Sequence, residues 1–214
     1  MAHNRVAAIH SSLSDKVILP PKEIIPGVFA FSPNPDSFGG ISYLIKEDDF
    51  EFMVDVPEYV ESNLSFIEQN GAPRFIFLTH RDDVADAERF KEQFGSELIV
   101  HESEKYVVRN PDITFRNFYK TGGAMIIHTP GHSPGSSTLF YPKEKVMFTG
   151  DHVTADRGRP VVENFSWTYD YDMQIRSAHQ LLDYDFEYIL AGHGGRWLIR
   201  NAKIELEKFL RNHG

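Results

Sequence analysis

The sequence of 214 residues contains no cysteine, and its 22 Lys and Arg residues are outnumbered by 31 Asp and Glu residues. The absence of cysteine excludes disulfide bonds, a thiolate nucleophile and a zinc site built from cysteine. The net charge of -9 argues against a general nucleic-acid surface, because such a surface needs basic patches. We therefore expect no nucleic-acid partner.

Long apolar runs are also missing from the sequence. No segment approaches the length of a membrane span, and residues 1–16 lack an apolar core of signal-peptide length. We therefore expect no membrane partner and a cytoplasmic location. The composition, 41% hydrophobic and 25% charged, is typical of a soluble globular chain. The length predicts a single domain, placed at residues 23–214. The small and polar residues at the start predict an N-terminal extension at residues 1–22, partly loose or an edge strand.

The rest of the sequence alternates strand and helix patterns. Short apolar runs such as "RFIFLT", "GAMIIHT", "KVMFT" and "FEYILA" predict strands. Apolar residues at helical spacing predict helices in residues 57–71, 171–185 and 201–212. We expect Asp82 or Asp83 to cap a further helix that ends near Phe94. Strand-rich halves that each carry helices indicate an α/β (α+β) fold, with sheets covered by helices on their outer faces.

Four unusual polar residues mark the ends of predicted strands. His80, His132, Asp151 and His193 each come directly after an apolar run, and a Pro-Gly turn presents His132. Loops at strand ends are where functional sites are built on a rigid frame. Neutral imidazoles combined with a carboxylate are the ligands that a borderline divalent cation prefers. The sequence therefore predicts a metal site where these strand ends meet.

These motifs resemble those of the metallo-β-lactamase-fold superfamily of metallohydrolases. The stretches "FLTHRDD", "HTPGHSPGS", "VMFTGD" and "ILAGHGG" match its motifs in order, and Asp55 matches an early structural aspartate. The resemblance covers about residues 23–195. It implies a four-layer αββα sandwich that carries the site at one edge of its sheets.

The family's His-x-His-x-Asp-His motif is degraded in this sequence. Its first histidine is His80, but Asp82 stands at the second histidine, and Val84 and Ala85 stand at the aspartate and the third histidine. Val84 and Ala85 cannot bind a metal. Asp86 lies near, and a shifted register could place it where the missing aspartate would be.

The resemblance implies two metal positions, which this chain equips unequally. One position keeps His80, His132 and Asp151, with Asp82 as a further oxygen ligand. The other position keeps Asp151 and His193, which are too few for a dedicated metal cage. We therefore expect at most one tightly held divalent metal, either zinc or iron or manganese, or no metal at all. His152 is expected beside the site or exposed.

The chemistry implied by the resemblance is hydrolysis of a small ester, thioester or lactone. A metal-bound water is acidified and attacks a carbonyl that the same ion polarises. Asp82 or Asp83 could accept a proton from that water. Few residues follow His193, whereas the glyoxalase II branch carries a helical domain there, so a glutathione thioester is a less expected substrate.

Two alternatives to a hydrolase remain open. His80, His132 and Asp151 form the two-histidine, one-carboxylate set that suits non-haem iron, and the persulfide dioxygenase branch uses equivalent positions. The chain would then be a mononuclear iron dioxygenase acting on a sulfur compound. The other alternative is a non-catalytic member that kept the fold and lost the metal chemistry. The partner in the enzymatic cases is a small molecule, and a homodimer is an assembly that the sequence leaves open.

Overall fold

The computed structural model describes residues 19–47, 50–121, 123–194 and 197–213. Most of the predicted N-terminal extension lies outside the described residues. Among the described helices, none combines the length and the apolar character needed to cross a bilayer.

The described strands form two large sheets and one small hairpin. The first sheet contains, side by side in chain order, β1 Lys22–Ile25, β2 Val28–Ala30, β3 Tyr43–Glu47, β4 Phe50–Val54, β5 Phe75–Phe77, β6 Glu97–His101 and β7 Ile113–Phe115. The second sheet contains β8 Phe118–Thr121, β9 Ala124–His128, β10 Ser137–Tyr141, β11 Val146–Gly150, β14 Tyr188–Ala191 and β15 Leu198–Arg200. Between β11 and β14 in the chain, β12 Thr154–Asp156 and β13 Arg159–Val161 form the separate hairpin.

The second sheet does not follow chain order. Its strands lie in the order β15-β14-β11-β10-β9-β8, with β11 and β14 parallel and the other neighbours antiparallel. In the first sheet, β1 to β4 pair antiparallel and β4 to β7 pair parallel. The described α-helices are α1 Glu61–Asn70, α2 Ala87–Phe94, α3 Tyr171–Leu181 and α4 Ala202–Arg211. Short 3-10 turns occupy Pro35–Ser37 and Glu102–Val107.

Three hydrophobic cores separate four layers. The first core lies between the sheets and includes Ile45 of β3 and Phe148 of β11, both fully buried. The second joins the second sheet to α3 and α4, and the third joins the first sheet to α1 and α2. Each fully buried aliphatic or aromatic side chain in these cores contributes roughly 1.5–3 kcal/mol. The layer order is α, β, β, α, which confirms the predicted sandwich.

The start of α2 corrects one prediction. This helix begins at Ala87 with Asp86 at its N-cap, so neither Asp82 nor Asp83 caps it, and even the Asp86 side chain makes no capping hydrogen bond. Instead, Asp86 pairs with Arg89 at 3.2 Å. Residues 79–85 are therefore free to form an irregular loop above the strand end.

Other boundaries also differ from the sequence prediction. The helix predicted at residues 57–71 spans Glu61–Asn70. The sequence reading missed the hairpin of β12 and β13 and the edge strand β15, because each contains three residues, too few to show a period.

Candidate metal centre

The ends of four strands meet at one edge of the sandwich. His80 follows β5 in the first sheet, whereas His132, Asp151 and His193 follow β9, β11 and β14 in the second. The two sheets are linked there, since the Ser137 N–H donates to the Thr79 carbonyl at 2.9 Å. This edge therefore holds the four side chains that the sequence singled out.

Gly150 allows the sheets to approach closely at this edge. A Cβ at Gly150 would lie 2.4 Å from the Thr79 hydroxyl oxygen, and its φ of +52° is a conformation that L side chains rarely adopt. The glycine of the "TGD" motif thus serves both the turn before Asp151 and the packing against Thr79.

The first donor set consists of His80, His132 and Asp151, whose ligand atoms all lie within 4.8 Å of one another. Asp151 Oδ2 lies 3.7 Å from His80 Nε2 and 3.9 Å from His132 Nε2. Asp82 adds an oxygen at its Oδ2, 3.8 Å from His80 Nε2 and 3.6 Å from His132 Nε2. These separations are too long for hydrogen bonds. Two ligands that are each ~2.1 Å from a tetrahedral zinc lie ~3.4 Å apart, so the spacing suits a shared cation.

The imidazole of His80 is oriented by a chain of hydrogen bonds. Buried Asp55 accepts hydrogen bonds from the Thr79 N–H at 2.8 Å and from the Thr79 hydroxyl at 2.9 Å. The Thr79 oxygen, having donated its proton, accepts from His80 Nδ1 at 3.0 Å. This arrangement leaves the lone pair on Nε2, an atom with no hydrogen-bond partner in the described part of the chain. Such a contact behind a ligand selects the tautomer that binds a metal.

The second donor set consists of Asp83, Asp151 and His193, again within 4.8 Å of one another. Asp83 is 1% exposed, and neither of its carboxylate oxygens has a hydrogen-bond partner among the described residues. A buried carboxyl group without a partner is costly, and a bound cation would satisfy it. The sequence reading gave Asp83 a role in proton transfer and left this position with two ligands. The sequence held one signal for Asp83 as a ligand: two consecutive aspartates, Asp82 and Asp83, begin two residues after His80.

His193 is held from both sides of its ring. Its Nδ1 lies 2.6 Å from Asp151 Oδ1, and its Nε2 donates to the carbonyl of Ser37 at 3.1 Å. Because Nε2 keeps its proton, Nδ1 is the atom that can exchange a proton for a cation. The 3-10 turn that contains Ser37 is therefore attached directly to the site.

In the metal-free site, the lowered pKa values of Asp82 and Asp151 keep these two candidate ligands charged near pH 7. Burial, followed by neighbouring imidazoles, lowers the pKa of His80 to about 4, so it is neutral near pH 7. Contact with His132 lowers the pKa of Asp82. Burial would raise the pKa of Asp151, but the hydrogen bond with His193 lowers it. Burial, with Asp55 and Asp151 nearby, raises the pKa of Asp83.

His132 is presented by backbone geometry. The chain turns at Gly131, where φ is +141° and a Cβ would lie 2.2 Å from the Gln174 Cα of α3. The Ser133 N–H donates to the Ser136 hydroxyl at 2.9 Å, which closes the loop after the ligand. Only glycine permits this approach, which explains the "TPGH" pattern in physical terms.

Several residues near the motif do not join either donor set. Val84 and Ala85 pack against the core under α2, and Asp86 pairs with Arg89 as described above. His152 is 1% exposed, so the expectation of an exposed role is wrong, and neither ring nitrogen has a partner in the described ranges. It belongs to neither donor set.

A cleft of about 550 Å³ opens over the donor atoms. Its lining includes Asp82, His132, Asp151 and His193, which are accessible from this side. The remaining lining residues are Phe38, Arg81, Thr154, Glu163, Phe165 and Trp167. The sequence reading assigned none of these six, because isolated aromatic residues in irregular segments show no periodicity.

Comparison with known proteins decides the family. The family model of the metallo-beta-lactamase superfamily matches residues 80–193, just over half of the chain. This chain belongs to the metallo-beta-lactamase superfamily. The matched range begins at the first candidate ligand, His80, and ends at the last, His193.

Relatives and solved structures agree with this assignment. The chain is 32% identical to the hydroxyacylglutathione hydrolase of Brucella ovis over 108 residues, which cover 48% of this chain and 42% of the relative. The matched region thus spans less than half the length of that relative. The structure of DIM-1 metallo-beta-lactamase exposed to ceftazidime is similar, with a TM-score of 0.73 at 16% identity over 92% of this chain and 100% of that chain. TTHA1623 in a di-iron-bound form has a TM-score of 0.68 at 20% identity over 81% of this chain and 94% of that chain.

Proposed function

We propose that this superfamily member is a metal-dependent hydrolase of a small ester, thioester or lactone. The observation that carries the proposal is the first donor set, in which two imidazole nitrogens face the oxygens of Asp82 and Asp151 at 3.6–3.9 Å. The similarity to a hydroxyacylglutathione hydrolase supports hydrolysis as the reaction class.

The donor atoms fit one tightly held divalent cation. His80, His132 and Asp151 would hold it, with Asp82 as a further oxygen ligand. Asp83, Asp151 and His193 would hold a second ion more weakly, since this set shares Asp151 and has a single imidazole. When bound, such a cation supplies an acidified water and polarises a substrate carbonyl.

Asp82 is the residue best placed to accept a proton in the cleft. Its side chain is 41% exposed, and its lowered pKa keeps it ionised at neutral pH. Asp83 is buried and does not line the cleft, so it is poorly placed for the proton transfer that the sequence predicted for Asp82 or Asp83. We assign general-base assistance to Asp82 alone.

Metal reconstitution with a substrate panel tests this function. Metal-free protein would be loaded with zinc, manganese or ferrous iron and assayed on a small ester, a thioester and a γ-lactone. We expect hydrolysis of at least one substrate only after loading, and a strong loss in Asp82→Asn. Asp86→Asn is the matched control, because Asp86 pairs with Arg89 at the start of α2. Absence of hydrolysis with every metal would contradict the proposal.

An iron dioxygenase acting on a sulfur compound is the second candidate. It is favoured by the composition of the first donor set, two histidines and one carboxylate, which suits non-haem iron. Oxygen consumption by ferrous protein with glutathione persulfide, without hydrolysis by the zinc form, would favour it over the hydrolase. If the metal-loaded protein showed neither hydrolysis nor oxygen consumption, a non-catalytic member would be favoured.

A further inference from the structure

The walls of the cleft carry exposed aromatic rings beside the donor atoms. Phe38 is 85% exposed and Trp167 is 60% exposed, although both line the cleft with Phe165. Large exposed aromatic side chains that share one cavity with polar groups are characteristic of a ligand site. These three residues, the aromatic wall, have no role in holding a metal.

Phe165 and Trp167 form a prearranged platform. Their rings are stacked, with centroids 4.7 Å apart and an angle of 11° between the planes. The Thr168 hydroxyl accepts from the Phe165 N–H at 3.0 Å, which holds the turn between the two rings. Contacts within the chain therefore hold the two rings in their stacked arrangement.

The platform is also attached to the metal centre. Directly after it, the Tyr169 N–H donates to the His132 carbonyl at 3.0 Å, and the Asp170 N–H donates to the Gly131 carbonyl at 2.9 Å. The position of the stacked rings is therefore tied to that of a candidate metal ligand, and a substrate ring resting there has a defined distance from the reacting carbonyl.

Phe38 is held in a similar way from the other donor set. Its backbone has a φ of 52°, a left-handed conformation that is unfavourable for a bulky residue. Buried Asn34 supports this turn, since its side chain accepts from the Asp36 N–H at 3.0 Å and donates to the Val56 carbonyl at 3.0 Å. The preceding residue, Ser37, accepts the hydrogen bond from His193. Both segments of the aromatic wall are thus anchored to candidate ligands.

The charges around the cleft disfavour an anionic substrate. Asp82, Asp151 and Glu163 line it, and Arg81 is the one Lys or Arg among its described lining residues. The Arg81 guanidinium already lies 3.8 Å from Asp82. Among the lining residues that the structure describes, three carboxylates face one guanidinium, so an uncharged substrate fits this cleft better than an anion.

We propose that the aromatic wall binds a flat ring of the substrate, so that the hydrolase acts on uncharged esters or thioesters with an aromatic acyl group. This inference rests on the proposed hydrolase function for its reaction and extends it to a substrate class. Stacking and edge contacts with aromatic side chains provide the preference for a flat ring over a puckered ring of similar size.

A paired-substrate experiment tests the preference for a flat ring. Zinc-loaded protein would hydrolyse methyl phenylacetate with a kcat/KM about two- to tenfold above that for methyl cyclohexylacetate, because aromatic contacts are worth this factor beyond area burial. Trp167→Leu and Phe38→Leu should remove the preference, since leucine keeps an apolar surface but no ring. Phe118→Leu, an exposed residue on β8 outside the cleft, should retain it. Equal rates on the two esters, or an unchanged preference in Trp167→Leu, would overturn the proposal.

A second pair of substrates tests the charge. The phenylacetyl thioester of N-acetylcysteamine is uncharged. S-phenylacetylglutathione carries the same acyl group, but its glutathione part has a net negative charge. We expect the uncharged thioester to have the higher kcat/KM. A preference for the glutathione thioester would overturn the assignment to uncharged substrates.

A binding measurement separates this inference from the hydrolase function. Calorimetric titration of zinc-loaded protein would compare 2-phenylacetamide with 2-cyclohexylacetamide, neither of which requires turnover. Tighter binding of the phenyl compound, lost in Trp167→Leu, supports the aromatic wall even if no ester is hydrolysed. Equal binding of both amides overturns it, whatever the hydrolysis assays show.

Discussion

His80 and His132 face each other across the site, but the two loops that carry them are built differently. The first ligand loop, residues 79–86, orients His80 through side chains, with Asp55 and Thr79 behind the imidazole. The second ligand loop, residues 129–136, places His132 through backbone turns that require Gly131. The first loop has lost most of the superfamily motif, and the second has kept it.

The comparison shows that candidate donor atoms converge in the first loop although its motif is altered. In the first loop, Val84 and Ala85 pack into the core, and the candidate donors besides His80 are the consecutive residues Asp82 and Asp83. The irregular backbone directs Asp82 towards the two imidazoles and Asp83 towards the second donor set. The chemical requirement is a set of oxygen and nitrogen atoms in space, and a fixed spacing in the sequence is one way to meet it.

Removing either imidazole of the first donor set should cause the largest loss of zinc affinity. His80→Ala and His132→Ala should each weaken zinc binding by more than about 100-fold, since even the loss of a residue behind a ligand costs 10–100-fold. Calorimetric zinc titration measures this, with His179→Ala on the exposed face of α3 as the control. Normal binding in His80→Ala, beside lost binding in His132→Ala, would mean that the first loop no longer serves the metal.

Variants at Thr79 test the difference between the two loops, because the Thr79 hydroxyl orients only the ligand of the first loop, His80. Thr79→Val should weaken zinc binding about 10–100-fold by releasing the His80 tautomer. Thr79→Ser keeps the hydroxyl between Asp55 and His80, so it should bind zinc as the parent does. Equal zinc affinity in the valine and serine variants would show that the hydrogen-bond chain has no part in metal binding.

The buried imidazole of His152 should make the stability of the metal-free protein depend on pH. Burial, with His132 and His128 nearby, lowers the pKa of His152 from 6.5 to about 3. Between these values the unfolded chain binds a proton that the folded chain does not, so the metal-free protein loses stability as the pH falls below 6.5. One such group contributes about 1.4 kcal/mol per pH unit, or about 2 kcal/mol between pH 6.5 and 5.

Other buried groups have shifted pKa values, Asp83 among them, so a matched variant is necessary. His80, with its pKa of about 4, acts in the same direction as His152. Burial raises the pKa of Asp55 to about 7, so the folded chain keeps a proton there and stability falls as the pH rises from about 4 to 7. The difference between the parent and His152→Phe isolates His152. Urea unfolding of both metal-free proteins should show the variant gaining about 2 kcal/mol on the parent between pH 6.5 and 5. A constant difference over this range would contradict the buried, neutral state of His152.

Asp82→His restores the superfamily's second histidine. Of the variants considered, it should change zinc affinity and stability the least. Imidazole is a better zinc ligand than a single carboxylate oxygen, so zinc binding should tighten, with less preference for manganese. Since Asp82 caps no helix, the free energy of unfolding of the metal-free protein should change by less than about 0.5 kcal/mol. Unchanged zinc affinity would remove Asp82 from the ligands, and a large loss of stability would point to a structural role.

Periodicity and the Gly and Pro turns are local signals, so they predicted helix-covered sheets and the convergence of four strand ends, and the family resemblance implied the four-layer sandwich. The sequence did not predict the placement of Asp83, since an ungapped match to a motif cannot show how an irregular loop turns. It also missed the aromatic wall, because Phe38, Phe165 and Trp167 are brought together by segments that are distant in the chain. Long-range packing determines these features, and no local pattern reports it.

The central claim is that the altered first loop still supplies a metal ligand. A crystal structure of the zinc-soaked protein, with anomalous data at the zinc edge, tests it most directly. We predict a strong peak at about 2.0–2.2 Å from His80 Nε2, His132 Nε2 and an Asp151 oxygen, and a weaker peak beside Asp83 and His193. The account would be contradicted by the absence of any peak at this edge, or by a zinc ion bound to His132 and Asp151 with His80 out of reach.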